Sequence, residues 1–367
     1  MTKVTDGLIK FAGGEANLGV YKMFADYWNH YRSLNGSKGV EFDNTISFSE
    51  KEDKMNAALR KEILRVSGQN LVELPLEHWA SNPMVKWASF AVTNMLIDFV
   101  LPSSIIDSIG AYTDVRTIGW GDSAAFEVKS RDLFTVSKAG RGQRSTELHK
   151  QYAGLVTVVP VMRELSVFVS LYRVLAGKES LAEFVAKAVR SLETAVTVDV
   201  YNLMSTTMNA LVNTPAAAAL RVSGYTQADL ISLAQKVQAW NGGAEAVIVG
   251  TKAALGNIVP LDPNYRYDLV DSPYVKMGYV PTAFGYSMLM LPQVADWETP
   301  FQLKLADDRV WLLSPSSQKI VKLVLEGATM SNTTDVYQNA NLTQTNTIWK
   351  SFGTAVATNA VAATIEL

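Results

Sequence analysis

Three histidines are the first residues to consider for chemistry. They are His30, His78 and His149, and they are separated by 48 and 71 residues. A zinc site built on one helix needs two imidazoles about four residues apart, so this spacing predicts no such site. Each histidine could act alone as a general base, but nothing in the sequence selects one of them. We interpret them as three unrelated surface or half-buried imidazoles.

The other residue patterns that support catalysis are also missing. Cysteine is absent, which excludes disulfide frameworks, thiolate metal sites and cysteine nucleophiles. No G-x-S-x-G or G-x-x-x-x-G-K-[ST] motif occurs, and residues 140–142 and 247–252 lack the context of a phosphate-binding loop. Paired carboxylates at 307–308 and 52–53 fall in polar, turn-like or helix-start contexts, typical of solvated charge. We therefore expect no catalytic, cofactor-binding or metal-ligating residue, no cofactor, and no enzymatic activity.

Composition describes a well-cored chain with a lean charged surface. Its 367 residues are 48% apolar and only 19% charged, and 33 basic residues face 35 acidic ones for a net charge of −2. This balance gives no attraction to nucleic acid or to an anionic membrane. The most apolar stretch, residues 84–101, contains Lys86, Asn94 and Asp98, so we do not expect it to span a bilayer.

The first 70 residues predict two helices. Residues 16–31 place aromatic side chains such as Tyr21, Phe24 and Trp28 at helical spacing. Ser49, with Glu52 three residues later, predicts the start of a second helix that runs to residue 66. The aromatic stripes have no obvious partner within this segment, so they pack either on a core elsewhere in the chain or at an interface.

Residues 120–171 predict a long β-hairpin with a basic tip. Apolar and polar residues alternate around Phe126 and again over residues 165–171, and the sequence between them is glycine-softened and charged. Residues 129–150 contain six basic and two acidic residues, a local excess of four positive charges. The tip could be a solvated loop, could contact nucleic acid, or could reach a neighbouring subunit. The length of the hairpin favours the third interpretation, because a two-stranded hairpin is marginally stable by itself.

The strongest local signal is a long helix over residues 181–212. Ser180 and Glu183 form a capping box, and apolar residues follow at helical intervals without Gly or Pro until Pro215. Such a helix is about 48 Å long at 1.5 Å per residue. Because no helix of equal length follows it, we interpret it as a spine.

The rest of the chain predicts a mixed α/β unit, which makes the fold class α+β. Thr226 caps a helix that ends at Trp240, residues 246–249 form a buried strand, and residues 252–257 form a short helix. Strands are predicted at 309–313 and 319–326, and the tail from residue 347 to 367 predicts a closing strand pair.

This order of elements resembles the major capsid proteins of tailed bacteriophages, which share the Hong Kong 97-type fold. The resemblance is carried by residues 131–144 (RDLFTVSKAGRGQR), 172–184 (YRVLAGKESLAEF) and 247–255 (VIVGTKAAL). It covers most of the chain from about residue 110 onward and is weaker over the first 80 residues.

The resemblance implies an N-terminal arm at 1–75 and an E-loop hairpin at 117–171 that lies over an adjacent subunit. It also implies an A-domain at 213–304 and a P-domain made of the remaining segments, 76–116, the spine helix within 172–212, and 305–367. The implied function is self-assembly into pentamers and hexamers of an icosahedral head that encloses double-stranded DNA without sequence-specific binding. The implied location is the virion, after assembly in the cytoplasm of a host bacterium. Its partners would be further copies of the chain, a portal protein, and separate scaffolding and decoration proteins; no membrane is implied.

Within this scheme, we expect Lys138, Arg141 and Arg144 at the E-loop tip to make inter-subunit contacts. Some members of the family cross-link an E-loop lysine to an asparagine of another subunit. Lys138 and the asparagines of residues 332–346 offer these residue types, but their positions cannot be matched, so we expect non-covalent assembly.

Two other functions remain open at this stage. An encapsulin-like compartment would use the same fold to hold an enzyme cargo. A soluble α+β enzyme that uses an isolated His or Asp would instead be a monomer or small oligomer with a deep polar pocket.

Overall fold

The structure is a computed structural model, and it describes most of the chain in fourteen stretches. These are residues 18–35, 40–68, 82–110, 113–129, 153–168, 179–212, 218–258, 278–291, 293–296, 299, 301–314, 319–333, 345–357 and 361–367. Within these stretches the chain forms helices and four separate sheets, so the predicted α+β class is confirmed.

Four long helices make one layer. They are α1 (Leu18–Leu34), α2 (Phe48–Ser67), α3 (Pro83–Ile109) and α4 (Leu181–Val212). The spine predicted over 181–212 is confirmed, and the backbone N–H of Glu183 donates to the Ser180 hydroxyl at 3.1 Å as the capping box requires. A second long helix, α3, was not predicted as one element, and its cap is Asn82, whose side chain accepts from the N–H of Met84.

The N-terminal aromatic stripe is buried inside this layer. Tyr21, Phe24, Tyr27 and Trp28 of α1 are at most 2% exposed and belong to the same core as α3 and α4. Of the two environments that the sequence left open for this stripe, the structure shows the core of the same chain. The predicted cap of α2 is wrong by two residues: Ser47 caps the helix and accepts from the N–H of Glu50, whereas Ser49 lies inside it. Both serines precede an acidic residue, so the local pattern fits either start.

A four-stranded sheet lies against the long helices. Its strands, in spatial order, are β1 (Thr113–Ile118), β12 (Val321–Thr333), β13 (Thr345–Val356) and β4 (Val161–Phe168). β1 and β12 are parallel and the other pairs are antiparallel. One face presents Leu323, Leu325 and Phe352 to the helix core. By length and composition, Pro83–Asp107 of α3 could also cross a membrane; in the fold, half of that stretch is buried, packed against α1, α2, α4 and β12.

A six-stranded sheet forms the second unit. Its order is β5 (Arg221–Ser223), β14 (Ala363–Glu366), β11 (Arg309–Leu313), β6 (Val247–Thr251), β8 (Tyr286–Leu291) and β7 (Thr282–Ala283). Helices α5 (Gln227–Trp240) and α6 (Lys252–Asn257) pack on it, capped by Thr226 and Thr251. A small hairpin, β9 (Ala295–Asp296) with β10 (Gln302–Leu303), is joined to this unit through the side chain of Gln293.

Sheet pairing corrects one expectation about the C-terminal part. The predicted closing pair does not form, because β13 pairs with β12 and β4 while β14 pairs with β11 and β5. As a result β11 and β14, which follow residue 305, share the six-stranded sheet with β5, β6, β7 and β8. Strand pairing joins segments that are far apart in sequence, so local patterns do not specify it.

The hairpin also differs from the expectation in one strand. β2 (Ala124–Lys129) pairs antiparallel with β3 (Ala153–Val158), whereas the alternating segment at 165–171 was expected to be the partner. The described part of that segment lies in β4 and pairs with β13. The sequence of β3, AGLVTV, does not alternate in polarity, so the local pattern favoured 165–171, and only the tertiary structure shows which segment pairs with β2.

Candidate functional site: the hairpin root and its exposed face

The β2–β3 hairpin stands on the face of the four-stranded sheet that is opposite the helices. Its inner face carries Ala124, Phe126 and Val158, which are at most 7% exposed and pack with Val324 of β12. Glu127, which alternates with these residues, points outward and is exposed, as a half-buried strand requires. The sequence pattern around Phe126 therefore identified the buried face correctly.

Two cations hold the Phe126 ring. The Arg116 guanidinium lies 4.1 Å from the ring centroid and the Lys322 ammonium lies 5.5 Å from it. Asp114 is 3.5 Å from both side chains. Cation–π contacts of this kind contribute about 0.5–2 kcal/mol, with the larger values where the cation is desolvated. Since Lys322 is only 5% exposed, its contact is of the stronger kind.

A carboxylate fastens the turn that leads into the hairpin. Glu326 of β12 accepts from the backbone N–H of Gly121 at 2.8 Å and from the Ser351 hydroxyl at 2.6 Å. These hydrogen bonds, that from Ser351 first, lower the pKa of the Glu326 carboxyl. The side chain thereby joins the turn before β2 to two strands of the sheet.

A β-bulge beside Glu326 creates a polar site inside the protein. The β12–β13 register shifts between Glu326 and Met330, and Gly327 has a φ of 57°. The bulge directs the N–H and the hydroxyl of Thr329 to Asp98 of α3, at 2.8 and 2.6 Å. Lys350 of β13 donates to the same carboxylate at 2.6 Å and to the carbonyl of Gly327 at 2.8 Å.

This polar site joins α3 to β12 and β13 next to the hairpin root, by which we mean the turn before β2 and the buried inner face of the hairpin. Trp120 lies over Gly327, where an added Cβ would come within 2.3 Å of the indole Nε1. Asp98, which appeared in the sequence only as an interruption of an apolar stretch, is therefore the helix side of this junction.

A second glycine allows the chain to leave the hairpin. Between β3 and β4 the chain passes over β13 at Gly353, where a Cβ would lie 2.8 Å from the carbonyl oxygen of Val159 and 3.0 Å from Pro160. The β3–β4 connection can therefore lie against the sheet only if this position is glycine.

Outside the packed root, the hairpin and the start of β4 expose apolar side chains. Their exposed fractions are 70% for Leu155, 72% for Val159, 58% for Val161 and 51% for Met162. Single exposed apolar residues are ordinary, but four within eight residues indicate a contact surface. We call these four residues the apolar edge. Sequence reasoning missed them because they lie between two alternating segments; the signal was the apolar run around Pro160.

Of the three histidines and the three tip cations, the structure describes only His30. Lys138, Arg141 and Arg144 lie outside the described residues, as do His78 and His149. His30 lies on α1, stacked on Phe42 with 4.4 Å between ring centroids. Over the described stretches, no group of three or more His, Asp or Glu side chains is arranged to hold a metal ion.

The carboxylates at 307–308 make an ion pair and hydrogen bonds that hold local structure, and those at 52–53 lie on a helix. Asp308 pairs with Arg309, whose guanidinium lowers the pKa of that carboxyl, and Asp307 accepts from Thr251 and from Gln293. Glu52 and Asp53 lie in the second turn of α2.

Comparisons with known proteins give matches among solved structures of capsids and of a virus-like particle. No family model matches the sequence, and no curated protein does either. The chain is similar to the capsid of the native GTA particle, with a TM-score of 0.47 and 12% identity over 71% of this chain and 89% of that chain. It is similar to the mature capsid of bacteriophage PhiM1, with a TM-score of 0.45 and 13% identity over 70% and 86%. A third similar structure is the virus-like particle from Pyrococcus furiosus, with a TM-score of 0.39 and 10% identity over 72% and 97%.

Proposed function

We propose that this chain is the major capsid protein of a tailed bacteriophage, a structural subunit that assembles into the pentamers and hexamers of an icosahedral head around double-stranded DNA. The observation that carries the proposal is the hairpin with its apolar edge. A two-stranded ribbon is rooted firmly on the sheet but leaves its outer face and the adjoining start of β4 uncovered. Such a ribbon is marginal alone and is stabilised when another surface covers it.

Burial of the apolar edge supplies a driving force for association. Each Val, Leu or Met side chain contributes about 1.5–3 kcal/mol when it passes from full exposure to full burial. The four side chains are already partly covered, so the gain from one hairpin is a fraction of their sum. In a shell each copy gives and receives this contact, so modest interfaces add up to a stable particle.

The covering surface in our proposal is a second copy of the chain. The net charge of −2 keeps self-repulsion among many copies small. The resemblance to the capsid family, carried by the three sequence stretches given above, implies the same arrangement. In that arrangement residues 1–75 are the arm, 117–171 the E-loop, 213–304 the A-domain and 305–367 the last part of the P-domain.

The basic tip of the E-loop belongs to the same proposal. Lys138, Arg141 and Arg144 contact acidic groups of an adjacent P-domain and orient the hairpin on it. A portal protein, a separate scaffold and a decoration protein are the further partners that a phage head implies, and the role of the chain is structural with no catalysis.

Electron microscopy and sedimentation of the expressed full chain test the proposal. We expect closed particles tens of nanometres across whose subunits run at 40 kDa after boiling in SDS, as non-covalent assembly requires. A chain that remains a stable monomer at every concentration tested would overturn the proposal. Shells that fill with an enzyme instead of DNA during expression in a phage-producing host would replace the phage head with a cargo compartment.

A pair of matched variants tests the apolar edge itself. Leu155→Glu with Met162→Glu places two charges on the surface that must be covered, so we expect folded subunits that no longer assemble. Leu155→Met with Met162→Leu changes shape but keeps both positions apolar, so these subunits should still form shells. Normal shells from the charged variant would show that the apolar edge is not an interface.

A further inference from the structure

A short segment between α1 and α2 is held against both helices by one imidazole. We call residues 40–47 the strap. His30 of α1 stacks on Phe42 of the strap with 4.4 Å between centroids and 24° between ring planes, and it meets Phe48 of α2 edge-on at 5.3 Å. The His30 ring therefore contacts both the strap and the start of α2.

The strap has few other attachments among the described residues. The Asn29 amide donates to the carbonyl of Glu41 at 3.1 Å, and the N–H of Asp43 donates to the Asp26 carboxylate at 2.8 Å. Exposed hydrogen bonds of this kind contribute only about 0.5–1.5 kcal/mol each, or somewhat more to a charged group. The aromatic stack on His30 therefore adds to these two hydrogen bonds and to the contact of the Lys51 ammonium with the Phe42 ring at 5.4 Å.

Two features beside the imidazole oppose a positive charge on it. Its Nδ1 atom is buried without a hydrogen-bond partner. Lys51 of α2, only 7% exposed, lies 5.4 Å from the Phe42 ring that His30 stacks on, and it forms an ion pair with Asp26 at 2.5 Å. The carboxylate of Asp26 favours the positive charge, but it is already paired with Lys51. Glu41 and Asp43 are the acidic residues of the strap itself.

We propose that His30 is an acid-sensitive latch, and that protonation of its imidazole in mild acid releases the strap from α1 and α2. The protonated ring needs a partner for its buried Nδ1–H and repels Lys51. Both demands are met when the strap swings away and water reaches the ring. This device is independent of the proposed capsid role, because it depends only on contacts within one chain.

The direction of the pH dependence follows from the structure. Burial first, and then Lys51, lower the pKa of His30 from 6.5, while Asp26 raises it. The released state therefore binds the proton more tightly than the latched state. The contribution of the latch is fully present above about pH 6.5 and is lost as the pH falls from there through the lowered pKa.

Hydrogen exchange of the full chain at pH 7.5 and pH 5.0 tests the latch, with protection factors corrected for intrinsic exchange rates. We expect the strap to lose protection severalfold at pH 5.0, bounded by about tenfold per pH unit for one linked proton. The centre of α4, which has no histidine nearby in sequence, should keep its protection and serves as the internal reference.

Two variants separate His30 from every other acid effect. His30→Phe keeps an aromatic ring that cannot be charged, so strap protection should be the same at both pH values. His78→Gln with His149→Gln leaves His30 as the only imidazole, so the acid response should persist. An acid response that survives in His30→Phe, or a wild-type strap that is equally protected at both pH values, would overturn the proposal. Should His30→Phe fail to fold, loss of the response in the double variant would overturn it equally.

Discussion

The buried ion pair between Lys350 and Asp98 gives the most quantitative prediction. The two side chains are 5% and 10% exposed, and their charged atoms are 2.6 Å apart. Among the described residues, Lys350 carries the only ammonium group within 4 Å of this carboxylate, so Lys350→Met leaves a buried negative charge. Breaking a buried pair in this way costs about 3–5 kcal/mol.

Asp98→Asn separates the charge from the hydrogen bonds. The amide oxygen that this change introduces can still accept from the N–H of Thr329, but the Lys350 charge is left without a counter-charge. The variant with both changes removes both charges, so we expect it to be more stable than the sum of the single effects predicts. The coupling between contacting residues is typically about 0.5–3 kcal/mol, and the high burial here places it toward the upper end.

The assay is urea unfolding of the full chain, followed by tryptophan fluorescence under conditions that keep the subunits unassembled. A matched control is Lys54→Met, which breaks the ion pair with Glu50, where the two side chains are 52% and 56% exposed. Because that pair is solvated, the control should change the free energy of unfolding by less than about 1 kcal/mol. A Lys350→Met variant as stable as the control, or single effects that simply add, would refute the electrostatic reasoning.

Three further predictions concern the hairpin and its root. Replacement of the three tip cations by alanine should abolish or distort the shells seen by electron microscopy, and normal particles of normal stability would contradict the proposed tip contact; the residues are Lys138, Arg141 and Arg144. Gly121→Ala, at φ 77° with open space around its Cβ, should cost only the backbone strain of about 1–3 kcal/mol in urea unfolding. Gly327→Ala adds a Cβ 2.3 Å from the Trp120 indole to the strain of a φ of 57°, so we expect it to cost more than Gly121→Ala. Glu326→Gln should flatten the acid side of a plot of unfolding free energy against pH. Because the pKa of the Glu326 carboxyl is lowered, the stabilisation by this carboxylate is present above about pH 4.5 and is lost as the pH falls through the lowered pKa. A plot that is unchanged below pH 4.5 would contradict this.

The sequence predicted two helix starts correctly. Ser180 with Glu183, and Thr226 before α5, each cap the predicted helix. The cap of α2 was misplaced because Ser47 and Ser49 offer the same hydroxyl two residues apart. A capping motif therefore predicts that a helix begins, but neighbouring hydroxyls leave its first residue open.

Long-range pairing could not be obtained in the same way. The segment at 165–171 alternates whereas β3 (AGLVTV) does not, yet β3 is the partner of β2, the described part of 165–171 pairs with β13, and the tail strands β13 and β14 lie in different sheets. A strand exposes the same alternating pattern to any partner, so the choice is made by the packing of the whole sheet. The apolar edge was missed for a related reason, since an apolar residue is recognised as exposed only when its neighbours in space are known.

The amino-acid sequence alone determined the class of this protein. The absence of cysteine and the isolated histidines predicted a chain without catalytic motifs, the local helix and strand patterns predicted an α+β fold, and the stretches at 131–144, 172–184 and 247–255 carried a resemblance to capsid subunits. Only the tertiary structure decided which apolar surfaces are buried and which stay uncovered. It buried the N-terminal aromatic stripe in the chain's own core and rooted the hairpin through Phe126 and Glu326, while it left Leu155 and Val159 uncovered. The physical reason is that burial is a property of neighbours in space, whereas the sequence specifies neighbours along the chain.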